Sequence, residues 1–152
     1  MDEKAPAVPA SFQDLLERPL IAHLATVRPD GSVQSNPMWF RWDGARIRLT
    51  HTRTRMKFRN VRAEPRVALS IVDPDNPERY LEVRGVVESI EDDPGARFFQ
   101  SLREHYGSTG TPILDADVRV VLVIRPTVVL GRSPGRGDAA ASIERSAAPR
   151  SA

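Results

Sequence analysis

Apolar residues along this chain fall mostly in short runs with a two-residue period, the signature of strands. LIAHLATVR (20–28) is apolar on both faces and leads into the turn Pro29-Asp30-Gly31. VQSNPMWFRW (33–42) runs back to Asp43-Gly44, a two-residue hairpin signal. ARIRLTHT (45–52) alternates cleanly, with Ile47 and Leu49 on one face and Arg46, Arg48 and Thr50 on the other. RVALSIVD (66–73), YLEVRGVVESI (80–90) and RVVLVIRPTVVLG (119–131) complete a predicted set of six strands. Gly85 in mid-strand predicts a bulge or a close backbone approach, and Pro126 breaks the last strand.

Helical patterns are short. Ser11 and Asp14 ahead of Leu15 and Leu16 predict a capped turn of helix ended at Pro19. TRMKFRNVRAE (54–64) reads as a helix closed by Pro65. DDPGARFFQSLREHYG (92–107) places Phe98, Phe99, Leu102 and Tyr106 at helical spacing and stops at Gly107. Helical crossovers do not separate the strands, so a doubly wound α/β fold is excluded. The expectation is a mainly β fold with short helices, a six-stranded antiparallel split β-barrel, whose closure removes exposed edges. Residues 1–10 and 133–152 are rich in Ala, Pro, Ser and Gly and are expected to be disordered, leaving one domain over 11–132.

Composition removes several classes of function. With no cysteine among 152 residues, disulfides, thiolate zinc sites, iron–sulfur clusters and cysteine nucleophiles are out of reach. His23, His51 and His105 lack metal-ligand spacing, so no metal site is expected. No apolar run approaches the roughly 20 residues of a membrane span, and the first residues lack a signal-peptide pattern, so a cytoplasmic protein that binds no membrane is expected. A net charge of +2 is too small for a nucleic-acid-binding surface. All but Lys4 and Lys57 of the 22 basic residues are arginine. Lys57 is retained either for its compact point charge or through arginine-biased codon usage. G-x-S-x-G, Walker and H-E-x-x-H patterns are missing, and the glycines of 131–137 are no dinucleotide fingerprint. No acid–base residue is assigned. The Arg136-Gly137-Asp138 tripeptide reads as a chance match, and Gly107-Ser108-Thr109-Gly110-Thr111 as a connecting loop rather than a phosphate cradle.

The most informative segment is Thr50 to Asn60, where a strand end runs into a helix start. Cations are unfavourable near a helix N-terminus, yet Arg53, Arg55 and Lys57 crowd this one. A bound anion reverses the sign, and the hydroxyls of Thr52 and Thr54 with free backbone N–H groups complete a candidate phosphate site. The competing reading is a solvated basic face paired with acids such as Glu64 or Glu82. A second cluster, Gln34, Ser35, Asn36 and Pro37, precedes Trp39 and Phe40. Pro37 interrupts the ladder and frees polar groups for a flat heterocycle. Trp39, Phe40 and Trp42 are otherwise core or dimer-interface anchors.

A-T-x-x-P-D-G (25–31), Q-S-N-P-x-W-F (34–40), R-x-K-x-R-N (55–60) and P-R-V-A-L (65–69) together resemble the F420-dependent branch of the pyridoxamine 5′-phosphate oxidase-like flavin and deazaflavin proteins, over residues 12–131. The resemblance implies a split barrel and a homodimer with the cofactor in a groove at the subunit interface. It implies coenzyme F420, or alternatively FMN, with Thr50, Thr52, Arg55 and Lys57 at the phosphate and Arg59 and Asn60 in support. Gln34, Ser35, Asn36 and Pro37 would line the ring, and Tyr80 would face the cofactor. The implied activity is hydride transfer between the cofactor and a small-molecule acceptor, an activated double bond or quinone. A non-catalytic F420-binding protein is the other reading. The chain lacks the Arg-containing terminal signature of enzymes acting on vitamin B6, which disfavours that reaction.

Overall fold

The computed structural model describes residues 4–135 and 142–147. Eight strands, β1 (Ala22–Val27), β2 (Val33–Met38), β3 (Phe40–Trp42), β4 (Ile47–Thr52), β5 (Arg66–Asp73), β6 (Asn76–Asp92), β7 (Arg119–Ser133) and β8 (Ser142–Ala147), form a single curled sheet. Its order is β2-β1-β5-β6-β7-β4-β3, with β8 added to β7, and every pairing is antiparallel. This mainly β, half-barrel architecture agrees with a split barrel.

Two differences from expectation raise the strand number from six to eight. The predicted strand 33–42 divides at Trp39, because the Phe40 N–H donates to the Tyr106 hydroxyl (3.1 Å) while the Trp39 ring stacks on that of Tyr106. Within the expected disordered tail, Ser142–Ala147 pair with Val128–Ser133 and cover part of the β7 edge. The remainder of the tail, including Arg136-Gly137-Asp138, lies outside the described residues, as do positions 1–3.

Gly85 has the predicted role. The register of β6 against β7 shifts between Arg84 and Gly85, and a Cβ at Gly85 would lie 2.6 Å from the Arg125 carbonyl oxygen. The bend lets β6 and β7 belong to both halves of the curled sheet. The core is Leu24, Phe40, Ile47, Leu49, Leu69, Ile71, Leu81, Val83, Leu122 and Ile124, all 1% exposed or less. The pleat directs these inward and their neighbours outward.

Helix α1 (Asp14–Glu17) follows a 3-10 turn over Ala10–Phe12 and buries Leu15 and Leu16. It carries no side-chain cap. Asp14 instead pairs with Arg79 and Arg18. Helix α2 (Met56–Ala63) packs on β1, and α3 (Arg97–His105) follows a second 3-10 turn. Asp93 accepts hydrogen bonds from the Phe98 (2.9 Å) and Phe99 (3.1 Å) N–H groups, satisfying orphan donors at the start of α3. No described helix is long and apolar enough to cross a membrane.

Candidate functional site

The β4–α2 corner is built by β4 alternation and by where α2 begins. Ile47, Leu49 and His51 alternate with Thr50 and Thr52, and all but the interleaved Arg48 are buried. Arg55 stands at the N-cap position with no side-chain cap, so Lys57 falls in the first turn, beside backbone N–H groups that an α-helix cannot satisfy internally.

The charges at this corner are unequal in their partners. Arg53 pairs with Asp92 and leaves the candidate anion site. Arg55, Lys57 and Arg59 form no ion pair with any described residue. The acids suggested by the sequence as their partners pair elsewhere, Glu64 with Arg66 and Glu82 with Arg84. Lys57 is half-buried, and burial, helped by Arg55, lowers its pKa.

His51 reports the same field. It is buried, its Nε2 has no hydrogen-bond partner among the described residues, and its pKa is lowered to about 4 by burial first and then by Lys57, Arg55 and Arg119. Sequence reading missed Arg119. Its Nη1 donates to Thr50 Oγ1 (3.3 Å), its Nε and Nη2 to Asp115 (2.8 and 3.0 Å), and its guanidinium lies 3.8 Å from the Phe99 ring centroid. Only the pairing of β4 with β7, which sets Arg119 opposite Thr52, brings it there.

The Gln34–Pro37 segment divides between two faces. Gln34 and Asn36 point to the side of α2: Gln34 Nε2 donates to Asn36 Oδ1 (2.8 Å), and Asn60 Nδ2 donates to Gln34 Oε1 (3.3 Å) and Thr26 Oγ1 (3.1 Å). Asn60 is fully buried and its Oδ1 has no partner among the described residues. Lys57 Nζ approaches Met38 Sδ, connecting the basic corner to the end of β2. Ser35 and Pro37 are exposed on the opposite face. There Ser35 and Tyr80 line a shallow groove of 250 Å³ with His23, Ala25, Ala68 and Ser70. Thus Thr50, Thr52, Arg55 and Lys57 gather at one corner, Gln34, Asn36 and Asn60 form a bonded group beside it, and Ser35 and Tyr80 share a separate outer groove. Arg59 is exposed on α2. Among the described residues no group of three or more His, Asp or Glu could hold a metal ion.

Residues 8–132 match the profile of the pyridoxamine 5′-phosphate oxidase family. The chain belongs to that family. Among solved structures, one named F420 reductase shares 54% identity and a TM-score of 0.78, covering 80% of this chain and 98% of its own, which upholds the resemblance to the F420-dependent branch. A conserved hypothetical protein from Mycobacterium tuberculosis (24% identity, TM-score 0.67, covering 91% and 98% of the two chains) shares the fold. So does general stress protein 26 from Bacillus anthracis (21%, TM-score 0.61, covering 79% and 89%). No curated protein sequence matches.

The corner has the chemistry of an anion site. Arg55 and Lys57, without carboxylate partners among the described residues, two threonine hydroxyls and the open start of α2 are complementary to a phosphate.

Proposed function

We propose that this chain is an F420-dependent oxidoreductase that transfers hydride to or from a small organic acceptor. The observation that carries this reading is the pair Arg55 and Lys57, which form no ion pair with any described residue and stand beside Thr50 and Thr52 at the start of α2. The neighbour at 54% identity and named F420 reductase supports deazaflavin over FMN. A deazaflavin, when bound, supplies the hydride-accepting and hydride-donating carbon. Arg55 and Lys57 bind the phosphate, and Thr50 and Thr52 offer hydroxyls to it. Gln34 and Asn36, held in place by Asn60, orient the ring edge. The chain's contribution is placement of two reacting carbons at about 3–3.5 Å rather than proton donation by a dedicated group.

The outer sheet face suits a second copy of the chain. An apolar groove of 530 Å³ there is lined by Ala25, Val27, Val33, Ala68, Val86 and Val128, and Val33 is 77% exposed. In a homodimer the adjoining groove at Ser35 and Tyr80 lies at the interface and brings those two residues into the cofactor's reach.

Titration of apo-protein with F420 and with FMN tests the reading. Tight F420 binding that competes with inorganic phosphate, with turnover on enone or quinone acceptors, supports it. Preferential FMN binding replaces F420 by a flavin, and F420 binding without turnover on any acceptor makes the chain a carrier.

A further inference from the structure

A cavity of 460 Å³ lies between α3, the Ser108–Asp115 loop and the kink that separates β2 from β3. It is distinct from the outer grooves and falls within the roughly 300–1,000 Å³ typical of small-molecule sites. Aromatic rings form one wall. Trp39 stacks on Tyr106 at 4.7 Å between centroids and 10° between planes, and Phe99, Pro112 and Ile113 complete the apolar lining. The Tyr106 hydroxyl donates to the Leu20 carbonyl (2.6 Å) and accepts from the Phe40 N–H, so the platform under Trp39 is fixed by the barrel itself.

Two arginines, Arg103 and Arg119, and the Trp39 indole supply donors to this cavity, beside the hydroxyls of Ser108 and Thr111. Arg103 is 5% exposed and forms no ion pair with any described residue. Its Nε and Nη1 donate to the carbonyls of Ser108 (2.9 Å) and Thr111 (2.5 Å), while its Nη2 has no partner among the described residues. The Trp39 indole N–H likewise makes no hydrogen bond with a described residue. The single carboxylate in the lining, Asp115, is taken in bidentate fashion by Arg119. The Arg103 guanidinium, 5.9 Å from the Phe99 ring centroid, thus offers the cavity a positive charge with one spare donor and no carboxylate partner among the described residues. Flat aromatic walls, spare donors and net positive charge specify a planar ligand bearing an anionic acceptor.

We propose that this cavity is a binding site for a planar aromatic carboxylate, its ring over Trp39 and its carboxylate toward Arg103. The loop that reads in sequence as a plain connection thereby becomes the wall of a ligand site. Leu114, 94% exposed at the rim, is placed to close over the ring edge.

The test uses the Trp42→Phe protein labelled with nitrogen-15, in which the single indole N–H resonance reports Trp39. Titration with 2-naphthoate, without cofactor, is expected to shift that resonance saturably. The neutral counterpart 2-naphthalenemethanol is expected to bind at least tenfold more weakly, and Leu114→Asp to weaken naphthoate at least tenfold without altering the rest of the spectrum. Lys57→Ala, which acts on the cofactor corner, is expected to leave naphthoate affinity unchanged, separating this site from the proposed function. No saturable shift, equal affinity for the neutral compound, insensitivity to Leu114→Asp, or loss of binding in Lys57→Ala would each overturn the proposal.

Discussion

Lys57 Nζ lies 3.2 Å from the sulfur of Met38, so one of only two lysines in the chain spans from the first turn of α2 to the end of β2. The methionine sulfur is a weak acceptor that cannot neutralise an ammonium. The charge is thus positioned but uncompensated, and its stem is already ordered before any ligand arrives. Lys57→Met keeps the apolar stem and removes the charge. A charged hydrogen bond is worth about 1.5–3 kcal/mol, so F420 affinity should fall roughly ten- to a hundredfold with little change in thermal stability. Fluorescence titration of the bound cofactor measures this; equal affinity in both proteins would remove Lys57 from the site.

Asn60 ties Gln34 to Thr26 from α2. Asn60→Ala removes two donated hydrogen bonds and strands Gln34 Oε1 and Thr26 Oγ1 in a buried setting. A loss of about 1–3 kcal/mol is expected in urea unfolding at unchanged m-value. Cofactor affinity should fall further than in Thr26→Ala, which leaves the Asn60 to Gln34 bond intact.

The His51 imidazole stays neutral in the folded protein down to pH about 4, whereas the unfolded chain protonates it near its ordinary value of 6.5. Its contribution to stability is therefore complete above pH 6.5 and is lost as the pH falls from 6.5 toward 4, by up to roughly 3 kcal/mol. His51→Gln, neutral throughout, should lose less stability over that interval in pH-dependent denaturation. Because Lys57, Arg55 and Arg119 contribute to the depression, an anion bound at the corner should move the His51 titration upward, as followed by proton NMR of the ring.

Gly85→Ala tests the bend of β6. The added methyl meets the Arg125 carbonyl oxygen at 2.6 Å and an Ile124 methyl at 2.9 Å, and backbone cannot swing aside as a side chain can. A destabilisation of about 1–3 kcal/mol is expected. A neutral result in thermal unfolding would mean that β7 yields at this point.

The strands were legible because each apolar run carries its own period and its own turn signals. Gly85 was legible because glycine in a strand interior has few other uses. The break at Trp39 was not, since it depends on the Tyr106 hydroxyl, 66 residues away, capturing a backbone donor. Crowded cations at the start of α2 were visible as a violation of a local electrostatic rule. Sequence alone did not show that Arg53 has Asp92 and that Arg55 and Lys57 have no acid, because partners are assigned by β6 and β7 crossing the corner. Arg119 was hidden for the same reason: its significance arises from the strand it lies against.

The pleat of β2 makes four consecutive residues answer to two different masters. Substitutions at positions 34 and 36 should register in melting temperature and α2 docking, while those at 35 and 37, on the face assigned to the proposed homodimer, should register in sedimentation as a change of mass. A scan along this one strand would alternate between the two readouts, residue by residue, and any ligand touching all four positions must curl around a free border of the sheet.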